Sequence, residues 1–405
     1  MKRILFVDDE PMILAGLRRL LRPQRERWDM SFAGSGAEAL ALLESKPFDA
    51  VVTDMRMPAM DGAKLLELVR ERYPATIRIV LSGYFESDAA MRAVPVAHQF
   101  LAKPCDPEKL HEAIERSCGF AGMLPDAALR RIVGAVGRLP TLPRTTALLT
   151  EALEKPDVPL SEIGRIVEHD VGITAKLLQL VNSAFFCLPY HVTSVRRAVS
   201  CLGLDTLKHL VLSVELFHTL QPRYPIAGFS MESFEEHSHL AARIAARLPG
   251  PEPVVSAGVV ASVLHDAGKL VLASRLPEEF ERALEESRAR QLPLHIVEQE
   301  RMGTTHAEIG AYLLGLWGLS GALVDAVSRH HRPVASPADG AGLSVLAIAH
   351  IADGLAWEAP LVKAGEPASA WTDLLDHAYL GGIGAEAELP GWRAMAQQVL
   401  ETRGE

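Results

Sequence analysis

Two groups of residues in this chain have types and spacings that could do chemistry, and they differ in kind. The first is acidic with one lysine. Asp8 and Asp9 follow the apolar run ILFV, Asp54 follows AVVT, Ser82 follows IVL, and Lys103 follows FLA. If these short runs are parallel strands, their carboxyl ends gather at the edge where open α/β sheets bind ligands. Three carboxylates there repel one another unless a divalent cation neutralises them, and oxygen donors suit Mg²⁺. The lysine adds a fixed positive charge and the serine a hydrogen bond. Together these groups would stabilise the equatorial oxygens of a phosphoryl group in transit to an aspartate. The expected chemistry is that of a phosphoacceptor site.

The second group is rich in imidazole. His237, His265-Asp266, His306, His330-His331 and Asp353 fall on or beside successive predicted helices, and a bundle interior can bring such residues together. Imidazole with carboxylate suits Fe, Mn, Zn or Ni. Two readings stay open. In one, a mono- or di-metal site hydrolyses a phosphodiester or phosphomonoester. In the other, the imidazoles bond to the backbone inside a helical scaffold that binds partners. Hydrolysis also needs an open coordination position and a substrate pocket. His169-Asp170 reads instead as a C-cap followed by an N-cap.

The elements that must position the first group form a βα series. Strands are expected at 2–7, 30–33, 50–53, 77–82 and 100–102, with helices at 11–21, 37–44, 63–72 and 108–117. Five such units make an α/β doubly wound parallel five-stranded sheet. Gly119 to Gly122 and Pro125 break the last helix, and Asp126 is a plausible cap for the next, beginning at Ala127. From there apolar residues recur at helical spacing, so the second half reads as all-α. Trp317 and Trp357 are expected as core anchors. The pieces DLLDHAYL and WRAMAQQVL are expected to pack back on the bundle.

At 405 residues the chain exceeds one ordinary core. Lys+Arg 41 against Asp+Glu 51 gives a net charge of -10, which disfavours a long basic groove for nucleic acid. Four scattered cysteines and no leader-like start point to a reducing, cytoplasmic setting. Even Leu343 to Trp357 is interrupted by His350 and Asp353, so no membrane span is expected.

The motifs DMRMPAMDG, LSGY and FLAKP resemble those of response-regulator receiver domains, with a flavodoxin-like fold. The resemblance implies that a histidine kinase or phosphotransfer protein phosphorylates Asp54. It makes Asp8, Asp9, Asp54 and the backbone carbonyl of Arg56 the Mg²⁺ ligands, Ser82 the switch hydroxyl, and Lys103 the phosphate contact. Phe100 takes the switch-aromatic position without a hydroxyl, and Pro104 follows the lysine where the family often has a cis bond. RLPTLP, IVEHDVGITAKLLQLVNSAFF and SVRRAVSCLGLDTLKHLVL resemble the HDOD family, an all-helical HD-superfamily signalling module. VLHDAGKL is similar to the HD phosphohydrolase signature, in which the His-Asp pair binds metal and a lysine such as Lys269 steadies the phosphate. The His and Asp series also resembles the ligand order of HD-GYP cyclic di-nucleotide phosphodiesterases, although RPVASPAD lacks the GYP segment.

The organisation expected is a receiver over 1–118, a linker over 119–129, an HDOD domain over 130–360 and a helical extension over 361–405. Such a protein would signal through contacts with its own receiver, with a second copy as a homodimer, or with a downstream protein.

Overall fold

Strand β1 (Lys2–Val7) is buried from Ile4 onward and lies between β2 (Trp28–Ala33) and β3 (Ala50–Asp54). The computed structural model describes the chain except residues 83–92, 94, 104, 138, 140, 142, 156–157, 183–190, 213–224, 336–341, 365–373 and 403–405. In it the sheet continues through β4 (Ile77–Ser82) to β5 (Gln99–Ala102), in the order β2-β1-β3-β4-β5 with every pair parallel. A central strand covered on both faces must be apolar nearly throughout, and AVVTD is buried along its whole length.

The register decides where the chemistry lies. Val7 pairs with Thr53, Asp54 with Leu81, and Ser82 with Ala102. Asp8, Asp54, Ser82 and Lys103 therefore leave the sheet at one edge. Helices α1 (Pro11–Leu20), α2 (Gly36–Ser45), α3 (Gly62–Arg72) and α4 (Pro107–Gly119) flank the strands. Gly62 is required at its position, because a Cβ there would lie 2.1 Å from the Asp54 carbonyl oxygen. The connection after β4 lies outside the described residues.

Among the described residues beyond Pro125, every regular element is helical. Asp126 caps α5 (Ala127–Gly134) by accepting the Ala128 N–H, and α6 (Pro143–Glu154) follows. His169 closes α7 (Leu160–Glu168), and Asp170 caps α8 (Val171–Val181) by accepting from Ile173 N at 2.8 Å, the two cap roles expected of that pair. Helix α9 (Val195–Leu212) breaks at Gly203, where φ is 73°. The bundle is then built from α10 (Met231–Ala245), α11 (Glu252–Leu264), α12 (Ala267–Arg275), α13 (Pro277–Arg290), α14 (Leu294–Met302), α15 (His306–Leu316), α16 (Gly321–Arg329) and α17 (Val345–Ala364). Helices α18 (His377–Gly382) and α19 (Leu389–Glu401) share a core with α10 and α17, and Arg243 donates to the Val399 carbonyl.

Glu252–Arg275 and Val345–Ala364 are long and apolar enough to cross a membrane by length and composition alone. Their apolar stretches are 72% and 67% buried within the fold, as core helices are.

The β5 edge of the sheet is covered by the helical half. Arg78, fully buried, donates from Nη2 to the Gly134 carbonyl at 2.7 Å and from Nε to the Val96 carbonyl at 2.6 Å. Burial lowers its pKa to about 9. Gln179 Nε2 donates to the His98 carbonyl at 2.9 Å, and Gln99 Nε2 to that of Leu316 at 3.3 Å. Side chains in α8 and α5's last carbonyl thus serve the backbone and side chains of an edge that would otherwise be open.

Candidate functional site

At the sheet edge, Lys103 Nζ lies 2.7 Å from Asp8 Oδ2 and also contacts Asp54 Oδ1. Asp54 Oδ2 accepts from Arg56 N at 2.7 Å and Asp8 Oδ1 from Glu10 N at 3.0 Å, so the turn after each strand orients its carboxylate. Burial works against the Lys103 ammonium, but its hydrogen bonds to Asp54 and Asp8 raise its pKa. Asp9 stands partly exposed next to this pair. Three acids against one lysine leave negative charge, and an all-oxygen donor set with the Arg56 peptide at the same turn fits Mg²⁺. Phe100 is 1% exposed in the sheet core. The Ser82 side chain and Pro104 lie outside the described residues, and only the backbone of Ser82 is placed, at the end of β4.

In the bundle, Asp266 is the residue on which the second group turns. Its Oδ2 lies 2.6 Å from Lys269 Nζ and 3.3 Å from His265 Nε2, while its Oδ1 lies 3.1 Å from His306 Nε2 and 4.0 Å from His330 Nε2. His306 and His331 approach through their Nε2 atoms at 3.0 Å. On the other side, Asp353 Oδ1 is 3.0 Å from His237 Nε2 and 3.3 Å from His265 Nε2. The ligand atoms of Asp266, His306, His330 and His331 all lie within 4.8 Å of one another, as do those of His237, His265 and Asp353. All seven residues singled out in the sequence are brought together.

Local structure explains the convergence. His265 and Asp266 occupy the turn between α11 and α12, His306 opens α15, His330 and His331 follow α16, and Asp353 lies inside α17. A Cβ at Gly268 would sit 1.9 Å from the His306 carbonyl oxygen, so only glycine lets α12 meet the start of α15. Thr305 and Glu308 form a capping box that fixes that start.

A second layer holds the rings. His306 Nδ1 lies 2.6 Å from Glu298 Oε2, His265 Nδ1 2.7 Å from the Ser262 carbonyl, and His330 Nδ1 2.7 Å from the Val327 carbonyl. A ring that donates from Nδ1 offers its Nε2 lone pair to the centre. Burial opposes the His265 imidazolium, but Asp266 and Asp353 outweigh it and raise its pKa to about 10, so its Nε2 lone pair becomes available only when a bound cation displaces that proton. Burial, and then the charge of His265, hold His330 down at about 3, and His331 is likewise held neutral. Asp266 Oδ1 and His330 Nε2 are buried without a hydrogen bond, Asp266 Oδ1 being close to His306 but not aligned with it. Buried polar atoms left in this way are costly unless a ligand satisfies them. Imidazoles and carboxylates with such orphaned atoms fit a transition metal.

Glu298 and His295 were not legible as part of this site. Glu298 is fully buried, and its one sequence signal is its position four residues after Leu294 on the apolar face of α14. His295 stacks on His331 with ring centroids 4.3 Å apart. His350 bonds the His330 carbonyl through Nδ1 at 2.6 Å and accepts from Asp376 N through Nε2. His377 pairs with Glu386 at the surface. Trp317 is a core anchor as expected, at 1% exposure, but Trp357 is not: it is 41% exposed and edge-on to His237.

Comparison with known proteins covers both halves. Residues 4–115 match the response regulator receiver domain and residues 139–333 the HDOD domain. An uncharacterized protein of Treponema pallidum is 28% identical over 200 residues, 49% of this chain and 39% of that protein. The hydrogenase transcriptional regulatory protein HoxA of Cupriavidus necator is 35% identical over 125 residues, 30% of this chain and 25% of HoxA. The chain thus spans less than half the length of either relative. Among solved structures, a virulence factor from Campylobacter jejuni superposes with a TM-score of 0.51 at 19% identity, covering 67% of this chain and 100% of that one, a likeness of fold.

Proposed function

The chain belongs to the response regulators that join a receiver domain to an HDOD domain, and from that premise we propose that a histidine kinase or phosphotransfer protein phosphorylates it on Asp54. The observation that carries this reading is the meeting of Asp8, Asp54 and Lys103 at one sheet edge. Mg²⁺ held by Asp8, Asp9, Asp54 and the Arg56 carbonyl would neutralise charge on the transferring group. Lys103, now on Asp8 and Asp54, would move to the phosphoryl oxygens, and the Ser82 hydroxyl would close on them. Phe100 lies inside the core without a hydroxyl, so the hydrogen bond that a tyrosine could offer at this position is absent.

The signal leaves through the covered sheet edge. Ser82 ends β4, the strand that carries Arg78, and Arg78 holds the last carbonyl of α5. Added charge at Asp54 would bias that contact and so the surface that the helical half offers to a downstream signalling protein or a second copy. The domain limits that suit this reading are 1–118 for the receiver, 119–129 for the linker, 130–360 for the output and 361–405 for a packed extension. The test is uptake of labelled phosphate from a small acyl-phosphate donor in magnesium buffer. Incorporation that is lost in Asp54→Asn supports the reading; equal labelling of that variant overturns it.

A second reading is favoured by Asp266, which stands between two ligand groups with a buried oxygen that lacks a hydrogen bond. Here His237, His265 and Asp353 would hold one transition metal, and His306, His330 and His331 another, with Asp266 between them. A metal so held would supply a water of lowered pKa, and the net reaction would be phosphate ester plus water giving an alcohol and a phosphate. Lys269, 19% exposed and next to Asp266, would steady the phosphate. Stoichiometric Fe, Mn, Zn or Ni that disappears in His265→Ala supports this centre, and a metal-free protein whose stability is unchanged in that variant supports the scaffold.

A further inference from the structure

The bundle site opens into a cavity of about 260 Å³, just below the usual range for pockets that hold small organic ligands. Part of its lining is the ligand group itself: His237, Asp266, His306, His331 and Asp353 all reach it. Another part is aromatic, with Phe229 and Phe280 meeting edge to face at 5.3 Å and Phe234 beside them. Trp357 adds a partly exposed indole, 6.0 Å from the His237 ring. Two cations complete the lining, Lys269 and Arg288.

Neither Trp357 nor Arg288 is needed to hold a metal. Most of the large apolar residues of α17 are buried, so an indole left 41% exposed beside the site is unusual for this helix. Arg288, an exposed residue of the cavity lining, is tied to the backbone at Gly228. Its Nη2 donates to the Gly228 carbonyl at 3.1 Å, and a Cβ at Gly228, whose φ is 85°, would fall 1.9 Å from that nitrogen. An aromatic ring and cations lining one cavity offer stacking to a flat ring and charge to a phosphate.

We propose that this cavity binds a phosphate ester whose organic part is one flat ring system, the size of a single nucleoside monophosphate. Its phosphate lies toward Lys269 and Arg288 over the ligand group, and its base lies against Trp357. The phosphate half rests on the metal-centre reading given above; the ring half does not. A cyclic di-nucleotide is about twice this size, so part of it would project from the open mouth of the cavity.

The test titrates the full chain calorimetrically, metal-free and after Mn²⁺ loading, with Mn²⁺ content measured in every sample. The probes are adenosine, AMP, orthophosphate and cyclic di-AMP. AMP is expected to bind the loaded protein about tenfold or more tighter than orthophosphate, and adenosine to bind both forms weakly and equally. Trp357→Ala removes the advantage of AMP and the binding of adenosine, with orthophosphate affinity and Mn²⁺ content unchanged, whereas Trp357→Phe keeps most of both. Arg288→Ala weakens AMP and orthophosphate alike and leaves adenosine as it was. Adenosine binding that depends on Trp357 supports the site even if the protein takes up no Mn²⁺. Mn²⁺ uptake with no Trp357-dependent binding, or cyclic di-AMP binding tighter than AMP, overturns it and leaves the metal centre standing.

Discussion

The two polar centres of this chain solve the same electrostatic problem in different ways. At the sheet edge, Lys103 bridges Asp8 and Asp54 and offsets part of the carboxylate charge from within the protein. In the bundle, Lys269 reaches one oxygen of Asp266 and leaves the other without a hydrogen bond. A centre whose carboxylates already share an internal cation can wait for a transient ligand, which must displace one contact to enter. A centre with buried orphaned atoms is complete only with something bound. The first arrangement suits a group that comes and goes, and the second a resident ion.

The largest effect expected from this contrast is at Asp266. Asp266→Ala should remove transition metal from both ligand groups, measured by elemental analysis, while phosphate uptake at the receiver continues. The mirror experiment is Asp54→Asn, which should abolish labelling from an acyl-phosphate donor and leave the metal content of the bundle as it was. Glu298→Gln is a finer cut, since it removes only the charge that orients His306. Metal affinity measured by competition with a chelator should fall about ten- to a hundredfold, with no change in receiver labelling.

The junction between the halves should show a pH dependence of its own. Burial, and then the neighbouring Arg78 guanidinium, hold His98 neutral in the fold, well below the usual imidazole range. The unfolded chain gains a proton there near pH 6.5 that the folded chain does not. Stability contributed by the neutral ring is therefore present above that pH and lost as pH falls below it. In urea denaturation, His98→Gln should narrow the gap between stabilities at pH 7.5 and pH 5.5 relative to the parent. The smallest effect is at Thr305, where Thr305→Ala removes a cap and should cost about 1 kcal/mol, read as a small shift in the same denaturation midpoint.

How much of this was legible in the sequence follows from the range over which each signal acts. Strands β1 and β3 were readable because a run buried on both faces is apolar along its length, and Asp54 was readable because it ends such a run. The seven His and Asp residues were readable as a set, since a chain seldom places so many on successive helices. Glu298 was not, because a glutamate inside a charged helix looks like solvated surface until the neighbouring helix is known. Arg78 carries no such signal either: a strand arginine resembles an outward-facing residue, and only the Gly134 carbonyl, 56 residues on, shows why it is inside. Trp357 ran the other way, apolar in an apolar helix yet set beside a cavity. Contacts between separate elements set all three outcomes, and no local period reports them.

The claim on which the account rests is that arrival of a phosphoryl group at Asp54 is felt in the helical half. Hydrogen exchange at residues 99–102 and 127–134, followed by mass spectrometry with and without beryllofluoride in magnesium buffer, tests it most directly. The account predicts a loss of protection in both segments that Asp54→Asn does not show. Unchanged exchange there, in protein that does take up label on Asp54, would contradict it.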